Sequence, residues 1–75
     1  MPKTYTHHEA FTACYEVALR KGQDYEASVL AEHIRRDQRF EQNLRNAGRT
    51  IHACFVAGRV AAFRDLLAAK KKRVA

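Results

Sequence analysis

The stretch from Arg49 to Phe63, RTIHACFVAGRVAAF, constrains this chain more than any other. It is the most apolar run present, and its large residues recur with a helical period. Ile51, Phe55, Val56, Val60, Ala62, Phe63, Leu66 and Leu67 cover roughly half of the helical wheel. Small residues fill most of the remainder: Ala53, Cys54, Ala57, Gly58, Ala61 and Ala68. Ala53, Ala57 and Ala61 recur every fourth residue, a ridge that lets another backbone approach closely. The run is too short, and too flanked by arginine, to span a membrane. A helix that is apolar or small all round is buried all round. The other helices of a 75-residue chain are too short to cover it. The expectation is therefore a homodimer, with Ala53, Ala57, Ala61, Val60, Phe63 and Leu67 at the dimer interface.

Arg59 stands in the middle of this apolar arc, beside His52, with no carboxylate nearer in sequence than Asp65. A lone buried guanidinium is costly, so Arg59 needs a partner. The candidates are Glu16, Glu32 or Glu41, or a carboxylate of a second subunit. The functional alternative is a phosphate or an acidic partner reached through a groove.

The rest of the chain also reads as helix, in one domain over residues 1–75. No run alternates apolar with polar residues, and no Asn-Gly or Asp-Gly turn joins β-branched runs. A first helix starts at the capping box formed by Thr6 and Glu9. Its buried face carries Phe11, Cys14, Tyr15, Ala18 and Leu19, and Gly22 follows its basic last turn. Asp24 is placed to cap a second helix buried through Ala27, Leu30, Ala31 and Ile34. Phe40 and Leu44 fall on a different stripe, so a break is expected at residues 35–38, with a short third helix from Gln38 to Ala47; the competing reading is one long helix to Ala47 that touches two different partners. A fourth runs from Thr50 towards Lys72. The expected fold class is a small all-α bundle of about four helices, with a flexible N-terminus (1–5) and a basic C-terminal tail (70–75).

Charge carries the functional information. Up to Ile34 there are three cations and five carboxylates, net −2; from Arg35 there are eleven cations and three carboxylates, net +8, in agreement with the overall +6. This asymmetry suggests a surface that faces a polyanion. Arg35, Arg36, Arg39, Arg45 and Arg49 cluster around the expected third helix, and Gln42, Asn43 and Asn46 add side chains able to bond base edges. Lys70, Lys71, Lys72 and Arg73 form a second basic group, readable as an arm on phosphates or as a solvated helix end. The geometry permits a helix-turn-helix around Asp37. The favoured partner is duplex DNA over RNA, because Tyr5, Tyr25 and Phe40 are the only candidates for a stacking platform and Phe40 reads as core.

Other chemistries find little support. The N-terminal MPKTYTHHEA has no apolar core segment, and Cys14 and Cys54 sit inside helical patterns. Two buried, reduced thiols in a cytoplasmic protein are expected. His7 and His8 are adjacent and cannot chelate as an i, i+4 pair, and His33 and His52 have no ligand spacing, so no metal and no cofactor is expected. No glycine-rich phosphate loop, HExxH or nucleophile motif occurs. The chain reads as a small basic dimeric DNA-binding regulatory or accessory protein, not an enzyme. The alternative is a protein-binding module that docks on an acidic surface of a larger partner and inhibits or tethers it.

Overall fold

The computed structural model describes residues 4–74 and is all-helical over them. Helix α1 spans His7–Lys21, α2 spans Ala27–Asn46 and α3 spans Thr50–Val74, with a 3₁₀ turn over Gly22–Asp24. No strand occurs among the described residues.

The N-terminus of α1 is built as its sequence dictates. Thr6 Oγ1 accepts from the Glu9 backbone N–H at 3.1 Å, and the Thr6 N–H donates to Glu9 Oε1 at 3.1 Å. Gly22 caps the other end in right-handed conformation (φ −80°), so the chain continues into the 3₁₀ turn without a left-handed stop. Asp24 belongs to that turn and does not cap α2. Glu26 holds the N-cap position of α2, with no side-chain capping bond.

The principal correction concerns α2. It is one helix of 20 residues, running unbroken through residues 35–38. Among the described residues three α-helices stand where about four were expected, and no helix-turn-helix forms around Asp37. The reason is the stripe Leu30, Ile34, Asp37, Glu41, Leu44, spaced by four, three, four and three. That is the register of a continuous core-facing helix, with two carboxylates standing where apolar residues would be. Leu30, Asp37 and Leu44 are its buried members. Gly48, at φ +77°, then turns the chain into α3 in the left-handed region that glycine occupies without strain.

Helix α3 is the centre of the molecule, packed on one flank by α1 and on the other by α2, while α1 and α2 scarcely touch. Helix α1 runs parallel to α3: Thr50 lies 3.3 Å from His7, and the Lys70 amine donates to the Gln23 carbonyl at 3.4 Å. Helix α2 runs antiparallel to α3. Leu44 packs with Ala53, Val56 and Val60 at one end, and Leu30 packs with Ala62 and Phe63 at the other. A Cβ built on Gly58 would sit 2.1 Å from the Phe11 carbonyl oxygen, so α1 and α3 approach backbone to backbone there. The small residues of α3 thus serve first the packing within one chain.

The molecule measures 46 × 24 × 14 Å. Its width is that of three helices abreast at about 8–10 Å spacing. Its thickness is little more than the diameter of one helix, about 10–12 Å. The three helices therefore form a single layer with two broad faces.

The expected flexible N-terminus lies partly outside the described residues. Of the part inside them, Tyr5 packs edge-on against Phe55, with ring centroids 5.2 Å apart. The expected basic tail is helical as far as α3 extends, and Ala75 lies outside the described residues. Lys71, Lys72 and Arg73 occupy the last turn, where cations oppose the negative end of the helix dipole.

Candidate nucleic-acid interface

The lone arginine of the apolar run finds its partner inside the same chain. Arg59 Nε donates to Asp37 Oδ2 at 2.7 Å, and Arg59 Nη2 donates to Asp37 Oδ1 at 2.8 Å. The partner is none of Glu16, Glu32 or Glu41, and no second subunit is needed to supply it. The Asp37 side chain is 11% exposed and that of Arg59 is 38% exposed. The pair lies between the two ends of the core, with the guanidinium opening onto a groove of about 390 Å³ between α1 and α2. The bonds to Asp37 push the Arg59 pKa further above its usual value against the opposing effect of burial, so it stays charged. Arg59 is thus committed to structure.

The arginines of α2 fall into two groups. Arg45 is engaged: its Nε donates to Glu41 Oε2 at 2.9 Å. Arg35, Arg36 and Arg39 are exposed and have no ion-pair partner among the described residues. They line a depression of about 460 Å³ together with Glu32, Phe40 and Asn43. By helical phase this depression lies on the flank of α2 that faces away from α3, reaching round towards the groove. Gln42, Asn43 and Asn46 are exposed on the same outer side, with Gln42 Nε2 donating to Asn46 Oδ1 at 3.0 Å. Arg49 is exposed beyond the end of α2.

One correction follows. Phe40 is not core: it is 44% exposed, and its one ring neighbour is His52, met edge-on at 6.4 Å. The two basic groups read from the sequence lie apart. Lys70 to Arg73 end α3, beside the 3₁₀ turn, whereas Arg45 and Arg49 lie at the opposite end of the long axis.

The expected dimer residues divide as well. Ala53, Val60 and Phe63 are covered by α2 within the chain and are not free to meet a second copy. Ala57, Ala61 and Leu67 are half-buried. Both cysteines are free thiols and half-buried, so they too lie outside the fully buried core. Burial pushes the Cys14 pKa up, and the nearby Arg59 opposes that only in part.

Among the described residues no cluster of His, Cys, Asp or Glu is placed to hold a metal ion, and no helix is long and apolar enough to cross a membrane. No protein-family model matches this chain, and no curated protein or solved structure matches it either.

Proposed function

We propose that this chain is a non-enzymatic nucleic-acid-binding protein that grips duplex DNA with the outer flank of α2, as a homodimer. One observation carries the reading: Arg35, Arg36 and Arg39 stand on one helix flank with no ion-pair partner among the described residues. Guanidiniums held this way are ready for phosphate, and their planar forks suit it. A straight helix also suits the major groove, which is about 12 Å wide. Gln42, Asn43 and Asn46 are the candidates to reach base edges; Lys70 to Arg73 add phosphate contacts remote from them. The free cysteines favour a reducing, cytoplasmic setting.

The dimer half of the proposal rests on surface. The chain exposes 5572 Å². A compact monomer of its 8.6 kDa mass is expected to expose ~4,700 Å². The excess is close to the ~800 Å² that each partner buries in a standard interface. A second copy on the broad face opposite the groove would supply the missing second layer. By helical phase Leu19, Ile34, Ala57, Ala61, Arg64 and Ala68 share that face; Leu19, Ile34, Ala57 and Ala61 are half-buried, and Arg64 and Ala68 are exposed.

The test is replacement of Arg35, Arg36 and Arg39 together by alanine. Duplex affinity should fall at least tenfold by fluorescence anisotropy, with the helical circular dichroism unchanged. Retained affinity would shift the site to another surface. Absence of binding by the unmodified protein would remove the nucleic-acid reading in favour of an acidic protein partner.

A further inference from the structure

We propose that Phe40 is a stacking platform for an unpaired base, and that the depression it shares with Arg36, Arg39 and Asn43 binds single-stranded nucleic acid. This rests on the nucleic-acid reading above and names a ligand that reading does not include.

The starting observation is an exposed phenylalanine in a basic setting. Phe40 is 44% exposed on a helix whose buried stripe is supplied by Leu30, Ile34 and Leu44. It contributes nothing to either core cluster. The edge-on contact with His52 (interplanar angle 66°) does not sandwich the ring as stacking would. On the helix surface its exposed neighbours one turn away are Arg36 and Asn43, at i−4 and i+3; Asp37 and Leu44, at i−3 and i+4, are buried towards α3. Arg35, Arg39 and one carboxylate, Glu32, line the same depression, so three cations outweigh one anion there.

These groups match the parts of one nucleotide unit in an unpaired strand. The aromatic ring offers a face to a base, the guanidiniums offer charge-assisted bonds to the flanking phosphates, and the Asn43 amide offers a donor and an acceptor to a base edge. A duplex cannot use the first of these, because its base faces are already stacked on one another. An acidic protein segment would satisfy the arginines and leave the ring without a counterpart. Only the unpaired strand engages the ring, the guanidiniums and the amide together.

The test compares single-stranded oligothymidylate with a mixed-sequence duplex of equal length, by fluorescence anisotropy at low salt. Phe40→Ala and Phe40→Leu should each weaken oligothymidylate binding by roughly tenfold, as loss of one stacked base does. Both should leave duplex affinity within about twofold, since the duplex contacts are to phosphate. Arg39→Ala should weaken both ligands. The chain has no tryptophan, so Phe40→Trp places a single reporter at the site. Its emission should be quenched by oligothymidylate and not by duplex. Equal losses on both ligands, or an unchanged oligothymidylate affinity in both Phe40 variants, would overturn the proposal while leaving duplex binding intact. Failure of the unmodified protein to bind either ligand would defeat the nucleic-acid reading and this inference with it.

Discussion

Asp37 and Arg59 are joined by two parallel hydrogen bonds of 2.7 and 2.8 Å, and this pair locks α2 onto α3 midway along the core. Removing Asp37 leaves a guanidinium in the apolar arc of α3 with no carboxylate. A fully buried pair broken this way costs about 3–5 kcal/mol, but Arg59 keeps water contact and the cost is smaller. Asp37→Ala should destabilise the fold by roughly 1–3 kcal/mol in urea denaturation. Replacing both residues by leucine should cost less than the sum of the single changes, because no charge is then stranded. Strict additivity would show that the two bonds are not coupled in solution.

The close approach of Gly58 to Phe11 gives a second test. The atom that a Cβ would strike is a backbone oxygen, which no rotamer change can move aside. Gly58→Ala should therefore cost at least about 2 kcal/mol, or separate α1 from α3. Gly48→Ala is the comparison: its Cβ would meet nothing within 4 Å, and only the φ of +77° opposes it. That change should cost about 1 kcal/mol. A Gly58→Ala variant as stable as the unmodified protein would contradict the parallel packing described for α1.

These two contacts show what the sequence does and does not reveal. The capping box at Thr6 and Glu9 is readable because it is local: both partners lie within one turn. The end of α2 is readable from Gly48 for the same reason. The continuity of α2 is not, because its stripe passes through Asp37 and Glu41, and a carboxylate in a core register resembles a break. The signal that resolves it is a pair: the unmatched cation Arg59 in the apolar arc of α3 and Asp37, one of the two carboxylates in the apolar stripe of α2. Misplacing that break also turned Phe40 inward, which hid the aromatic group of the candidate site. Clustering of Arg35, Arg36 and Arg39 was legible, since they share one helix. Their freedom from ion pairs depends on tertiary placement and was not.

Tyr15 gives a pH-dependent prediction. Its hydroxyl donates to Asp65 Oδ2 at 2.5 Å. That bond chiefly, with burial and the Asp65 charge adding, pushes the phenol pKa above its ordinary value of 10.0. A group whose folded pKa is raised stabilises fully below its unfolded pKa, and the contribution is lost as pH rises through the folded value. Ultraviolet titration of the three tyrosines should therefore show one phenolate forming above the ordinary range. Asp65→Asn should bring that step down. An identical curve for the Asp65→Asn variant would show that the bond does not persist in solution.

The dimer proposal predicts a mass near twice 8.6 kDa by sedimentation at micromolar concentration. Ala57 is half-buried on the face proposed for the second copy. Ala57→Leu should shift the protein towards monomer, since a close contact at a small residue does not accept a large side chain. A stable monomer of the unmodified chain would contradict the reading of its excess surface.

The central claim is that unpaired arginines of α2 hold nucleic acid by its phosphates, and salt tests it most directly. Arg35, Arg36 and Arg39 from each of two subunits would neutralise about six phosphates, at a slope near −0.9 for each in duplex DNA. The logarithm of affinity should thus fall with the logarithm of salt concentration at a slope of roughly −5, a loss on the order of a thousandfold between ~50 and ~200 mM. Arg39→Ala should flatten that slope by about one unit for each subunit that makes the contact. A slope near zero, or no binding to duplex DNA at ~50 mM salt, would contradict the account.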